Sequence, residues 1–151
     1  MHTNPPAIFT TLGRTRRVFW GWLLFSGTLM PFGHLPRRES ELAILRVAAL
    51  TESDYEADHH RRLGKRAGLS SMEIANIMEG RFERFAERDR AILAVVDSLH
   101  TFQDVDDLTW VFLREHLNER EAIELLMLVA QYAGLAQTIR TLRIPVDQPR
   151  S

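Results

Sequence analysis

The segment Asp54-Tyr55-Glu56-Ala57-Asp58-His59-His60 carries the densest chemistry in the chain. On an α-helix, Glu56 and His60 are four residues apart and share a face, so a carboxylate can touch an imidazole. A carboxylate fixes the imidazole tautomer and stabilises its cation, which is what a general acid/base needs near neutral pH. Tyr55 and His59 repeat that spacing on the adjacent face. Upstream, Glu41 closes the polar stretch Arg37-Arg38-Glu39-Ser40-Glu41 and directly precedes Leu42, at the edge of an apolar stripe. The same residues also suit solvated first turns, where acids interact favourably with the helix dipole.

A metal is the other chemistry this pattern brings to mind. Glu56-x-x-His59 has the spacing found in helical di-iron carboxylate proteins, and Asp97-x-x-His100 offers a second pair. Such a centre needs two more carboxylates on facing helices, and the sequence does not display them, so no metal is assigned. His100 reads instead as a cation near a helix C-terminus. His34 and His116 have no local partner pattern, and His2 is terminal.

Several mechanisms are excluded outright. The chain has no cysteine, so it can form no disulfide, thiolate zinc site, thiol nucleophile or dithiol redox couple. It has no phosphate-binding loop, dinucleotide glycine fingerprint, nucleophile elbow or His-Glu-x-x-His helix. With 19 basic against 20 acidic residues the net charge is −1, which gives no overall cationic field for nucleic acid. What remains is chemistry without a cofactor, or simple binding of a small molecule.

The elements that must position these residues are helical. At 151 residues and 45% apolar content the chain fits one domain with a core of its own. Strand alternation and hairpin signals are almost absent, whereas helical periods recur throughout. The reading is a short N-terminal turn ending near Gly13, then helices over about 16–29, 39–50, 54–67, 71–78, 83–100, 108–117 and 119–142. Pro31, Gly68, Gly80 and Pro145 mark stops, and Thr51 or Ser53, Ser70 and Asn118 are candidate caps. The apolar run Val18–Met30 follows three arginines and looks like an export signal. It lacks a small-x-small cleavage site and is too short to span a bilayer. It therefore reads as a helix buried by its own protein or by a neighbouring subunit, with Phe19, Trp20 and Trp22 suited to an oligomer contact. No membrane partner is expected, and the location expected is the cytoplasm.

Three segments together resemble the carboxymuconolactone decarboxylase and alkylhydroperoxidase D superfamily. They are Leu35-Pro36-Arg37-Arg38-Glu39-Ser40-Glu41-Leu42 through Ala48; Tyr55 to His60 followed by Ala67-Gly68-Leu69-Ser70; and Ile123-Glu124-Leu125 through Tyr132 to Ile144-Pro145-Val146. The resemblance implies a single-domain, all-α, alkylhydroperoxidase D-like fold, which fits the seven to eight helices read over the whole chain, with the family-like domain over residues 35–146. Residues 1–34 would form a helical extension and 147–151 a tail. It further implies homo-oligomers, as trimers or hexamers.

The peroxidase branch of the superfamily has a glutamate, then Cys-x-x-Cys, then a histidine four residues on. These positions fall here on Glu41, Ser53, Glu56 and His60. The proton-relay frame is retained and both thiols are replaced, so the chain resembles the cysteine-free, decarboxylase-like branch. The reading that follows is cofactor-free acid/base chemistry on a small carboxylated or lactone ring substrate. His60 delivers the proton, held by Glu56, and Glu41 completes the relay. Arg46 or Arg38 would bind a substrate carboxylate, with Tyr55 and His59 lining the site. A non-catalytic oligomer that binds a small ligand is the alternative. A thiol peroxidase is disfavoured by the missing cysteines.

Overall fold

The computed structural model describes residues 5–147; the outermost residues of the expected extension and tail, with His2 among them, lie outside the described residues. The described residues are all-α. The helices are α1 (Ala7–Leu12), α2 (Arg17–Leu29), α3 (Arg37–Leu50), α4 (Asp54–Arg66), α5 (Ser71–Glu79), α6 (Glu87–Phe102), α7 (Asp107–His116) and α8 (Glu119–Leu142), with a 3-10 turn over Gly13–Thr15 between the first two.

Local chemistry sets most boundaries. Ser70 and Asn118 each head a capping box: the Ser70 hydroxyl accepts from Glu73 N–H and Asn118 Oδ1 accepts from Glu121 N–H, while each glutamate reaches back. Each such cap contributes about 1 kcal/mol. Gly80 ends α5 in the left-handed conformation (φ 75°), which costs glycine nothing. Asp106 caps α7 by accepting from Leu108 and Thr109 N–H.

Two starts differ from the sequence reading. The helix expected from Glu83 begins at Glu87, because Phe85 N–H is already bonded to Phe82 O in a turn and Ala86 is extended (ψ 155°). The helix expected from Glu39 begins at Arg37, directly after Pro36. Proline has no N–H to lose at a helix entrance and leads straight into the first turn.

Helix α3 is the hub, packed by α4, α5, α6 and α8. It is buried nearly all round, with Leu42, Ala43, Ile44, Leu45, Val47 and Ala48 in the main core. Helix α8 is long and apolar enough by composition to cross a membrane. Here it lies against α3, α6 and α7, burying Leu125, Leu128, Val129, Tyr132 and Ala136. Gly64 brings α4 close to α3, since a Cβ there would stand 3.2 Å from Leu45 Cδ1 and 3.1 Å from Leu69 Cδ1.

A second, smaller cluster joins both ends of the chain: Ile8, Tyr55, Ile139 and Ile144, with Trp22 and Leu135 against it. Asp147 Oδ1 accepts from Ala7 N–H (2.8 Å), and its Oδ2 accepts from the Tyr55 hydroxyl (2.8 Å).

Candidate active site

Glu41 sits in the second turn of α3, completely buried, and faces α4. Its Oε2 stands 2.7 Å from His60 Nδ1, and its Oε1 lies 2.6 Å from an Arg37 guanidinium nitrogen one helical turn back. The pair with His60 crosses from one helix to the next. The pair with Arg37 follows the i,i+4 rule. Arg37 is 41% exposed, so a chain of polar contacts runs from solvent through Arg37 and Glu41 to His60.

The His60 ring is fixed on two sides. Tyr132 of α8 meets it edge-on at 5.1 Å (84°), and His59 does so at 5.3 Å (82°). With Nδ1 donating to Glu41, the tautomer leaves Nε2 as the nitrogen that can take up or release a proton. Burial pushes the Tyr132 phenol well above its ordinary value, and the nearby Glu41 and Glu56 add to this. That residue stays a neutral wall. Burial lowers His59, and the neighbouring His60 and Arg62 lower it further, so it is held as a neutral imidazole beside the site.

Glu56 differs in kind. It is 2% exposed and neither carboxyl oxygen has a hydrogen-bond partner. The hydroxyl of Ser53, one turn away at the helix entrance, is also buried without a partner. Burial pushes the Glu56 carboxyl up to about 8, because the ionised form loses its hydration and the neighbouring Ser53 side chain offsets only part of that cost. At neutral pH Glu56 is mainly a protonated acid.

The structure thus gathers Glu41, Glu56, His60 and His59 but changes their roles. Glu41, not Glu56, holds His60. The shared helical face brings Glu56 close without fixing the ring, which Tyr132 and His59 orient toward α3 instead. Neither Arg38 nor Arg46 reaches this cluster. Arg38 spends its guanidinium on Asp89 (2.9 Å) and Glu73 (2.5 Å). Arg46 grips Asp97 (2.6 Å), donates to Ile77 O and lies 5.0 Å over the Phe82 ring. Both are ties between helices, made because α3 turns these positions away from α4. The Tyr55 hydroxyl is occupied by Asp147 and by Ile8 N–H (3.3 Å), so it fastens the chain ends.

Two further members were missed. Arg37 could have been found from its i,i+4 spacing to Glu41, had the helix been started at Pro36. Tyr132 gave no signal, since nothing in the sequence registers α8 against α4. Among the described residues no three His, Asp or Glu side chains gather as metal ligands, and Asp97 of the second Asp-x-x-His pair is taken by Arg46. Two hollows, of about 180 and 250 Å³, lie between α3, α6 and α8 and beside Arg38; Glu41, Glu56 and His60 line neither.

Comparison with known proteins agrees with this architecture. The profile of the carboxymuconolactone decarboxylase family matches residues 16–98, more than half of the chain. No curated protein matches the sequence significantly. Among solved structures, an alkylhydroperoxidase AhpD core from Ralstonia eutropha JMP134, an uncharacterised peroxidase-related protein, superposes with TM-score 0.85 at 18% identity, covering 95% of this chain and 77% of that one. A protein of unknown function from Agrobacterium tumefaciens, suggested to be an antioxidant defence protein AhpD, gives TM-score 0.79 at 19% identity over 87% of this chain and 91% of that one. The debrominase Bmp8, as a cysteine-to-alanine variant in complex with 2,3,4-tribromopyrrole, gives TM-score 0.79 at 17% identity over 91% and 74%. At these identities the likeness is one of fold.

Proposed function

The chain belongs to the carboxymuconolactone decarboxylase family, and from that premise we propose that it is a cofactor-free acid/base enzyme acting on a small carboxylated or lactone ring substrate. The observation that carries this is the unpartnered, buried Glu56 carboxyl beside the buried Glu41–His60 pair. A carboxyl buried without partners costs several kcal/mol when it ionises, and the three residues together form a proton donor, a proton shuttle and the carboxylate that orients the shuttle.

The reaction is decarboxylation or the related isomerisation. In decarboxylation the bond between the ring carbon and the carboxylate breaks, CO₂ leaves, and the electron pair stays on the ring as a dienolate. His60, as its imidazolium, then gives the Nε2 proton to carbon; the protonated Glu56 carboxyl returns a proton to Nε2, and solvent reprotonates Glu56. One proton is consumed per CO₂ released. In isomerisation the same imidazole first removes the proton that it later returns. Arg37, half-exposed at the end of the polar chain, is the cation that meets the substrate carboxylate. Glu41 keeps His60 in register throughout.

A dithiol peroxidase cycle has no residue to run on, since the chain contains no cysteine. The apolar hollow of about 180 Å³ between α3, α6 and α8 favours the second reading, a binding protein for a small apolar molecule. Residence in the cytoplasm belongs to the first reading.

The test is turnover of an authentic lactone acid by the purified protein in D₂O. One deuterium is expected on the product carbon per CO₂ released, with His60→Gln inactive. Neither turnover nor deuterium exchange on such substrates, with saturable binding of small apolar rings at the hollow, would replace the enzyme by the binding protein.

A further inference from the structure

Two helix starts in the chain carry the same spacing, Ser70-x-x-Glu73 and Ser53-x-x-Glu56. At the head of α5 the motif closes. The Ser70 hydroxyl accepts from Glu73 N–H (3.1 Å), and the Glu73 carboxylate accepts from Ser70 N–H (2.8 Å). At the head of α4 the same motif stays open. Ser53 N–H already donates to Ala48 O (2.9 Å), a bond that closes α3, so Glu56 has no N–H to reach back for. The Ser53 hydroxyl makes no capping bond either. The short connection Thr51–Ser53, with Glu52 in the left-handed region (φ 52°), imposes this geometry by making one residue end α3 and begin α4.

The result is a cluster of buried polar groups without partners. Ser53 is 8% and Glu56 2% exposed, and Ser53 Oγ and both carboxyl oxygens of Glu56 are unbonded. Ser53 stands near enough to Glu56 to soften the rise of its carboxyl, yet no hydrogen bond joins them. The N–H groups of Asp54, Tyr55 and Glu56, which the helix itself cannot use, meet no acceptor among the described residues. Buried polar groups are bonded almost without exception, so a cluster of this kind marks a place where a ligand supplies the bonds. Most of these groups are donors, and they stand at the positive end of the α4 dipole. Burial keeps Glu56 protonated near neutral pH, so the carboxyl beside them does not repel an anion. The set fits an oxygen that carries negative charge.

We propose that the head of α4 is an oxyanion subsite, in which the Ser53 hydroxyl and the N–H groups of Tyr55 and Glu56 donate to a ring oxygen of the substrate that becomes negatively charged. The identity of that oxygen rests on the reaction proposed above; the donor cluster does not. When CO₂ leaves, the electron pair left on the ring carbon is shared with the lactone carbonyl oxygen, and it returns to carbon when His60 delivers the proton. Hydrogen bonds to that oxygen strengthen as its charge grows, so the subsite favours the transition state over the bound substrate. The labour is thereby divided. Arg37 meets the carboxylate, His60 serves the carbon and Ser53 serves the oxygen. Ser53 acts as a donor and not as a nucleophile, since no base is bonded to its hydroxyl.

The experiment reads binding apart from turnover. The probe is 4-nitrophenolate, which has a ring oxyanion and no carboxylate, and whose visible absorption moves to shorter wavelength as the oxygen accepts hydrogen bonds. Titrated at about pH 7.5, it is expected to bind wild type saturably with that shift, and Ser53→Ala at least about tenfold more weakly. Ser53→Ala loses no side-chain bond within the chain, so its melting temperature is expected to match wild type. Ser70→Ala is the control: it breaks a formed cap, and should lower the melting temperature while leaving the affinity alone. Glycine is tolerated at a helix entrance, so Ser53→Gly serves if the alanine variant does not fold. Equal affinity of wild type and Ser53→Ala overturns the subsite. So does the absence of saturable binding to wild type, which leaves these groups to water. On a lactone acid that wild type turns over, Ser53→Ala is expected to lower kcat by about 10²–10³. Phenolate binding that depends on Ser53, without turnover of any lactone acid, keeps the subsite and removes the reaction. Turnover with equal kcat and equal phenolate affinity in Ser53→Ala keeps the reaction and removes the subsite.

Discussion

Replacing Glu56 by glutamine tests the central feature of the site without any substrate. The carboxyl is pushed from an ordinary value of 4.5 up to about 8. The native state therefore binds a proton more tightly than the unfolded chain does. Stability from this group is complete below about pH 4.5, falls as the pH rises, and is lost above about pH 8. At about 1.4 kcal/mol per tenfold change in proton affinity, the whole interval amounts to roughly 5 kcal/mol, of which roughly 3 is gone at neutral pH. Water reaching the carboxylate as it ionises reduces these figures, so a loss of a few kcal/mol is expected.

Glutamine has the same shape and no proton to lose. Urea unfolding of wild type and Glu56→Gln is compared between about pH 5 and pH 8.5. The two are expected to agree to within about 1 kcal/mol at the acid end and to diverge steadily, with glutamine the more stable by a few kcal/mol at the alkaline end. His59, lowered by its own burial, titrates in both proteins and drops out of the difference. Parallel curves would show that Glu56 finds a partner or solvent when it ionises, and the protonated acid at neutral pH would be lost with it.

Other expectations follow from the same geometry. Glu41→Gln removes the counter-charge of the buried His60 pair and of Arg37, and should cost about 3 kcal/mol of unfolding free energy, since breaking a buried pair strands its partner; a change under about 1 kcal/mol would mean the pair is solvated. His60→Gln should lower kcat by about 10²–10⁴ with little change in KM, read on whichever lactone acid is turned over. Arg37→Gln should raise KM while Arg46→Gln lowers the melting temperature and leaves KM alone, because Arg46 is bound to Asp97 and Ile77 O; the opposite pattern would return Arg46 to the substrate. Tyr55→Phe should cost about 1 kcal/mol through the lost Asp147 bond and speed proteolysis near both ends.

The fold was legible because the punctuation is strong. Ser70-x-x-Glu73 and Asn118-x-x-Glu121 announce helix starts, Gly80 announces a stop, and without strand signals only helices remain. The residues of the site were legible by type and less so by contact. Glu56 and His60 stand one turn apart, so the sequence joins them; the packing of α3 on α4 joins Glu41 to His60 instead, and no spacing along the chain encodes that crossing. Arg37 escaped because Pro36 starts the helix two residues earlier than expected. Arg38 and Arg46 were chosen for their charge, and what neutralises them, Asp89 and Asp97, lies on α6, some fifty residues on. Tyr132 needed the register of α8 against α4, which a sequence does not display.

The bond between Asp147 and the start of α1 has a consequence for how the molecule is made. A ribosome releases α3 and α4 early, so Glu41 and His60 can pair as soon as that helical hairpin collapses. Tyr132, the wall of the imidazole, emerges far later, and Asp147, which fastens α1 to Tyr55 next to Glu56, later still. A nascent chain thus holds its Glu41–His60 hydrogen bond uncovered through most of its synthesis. A residue translated late fixes early ones in place, and only then is the acid beside them shut away from water.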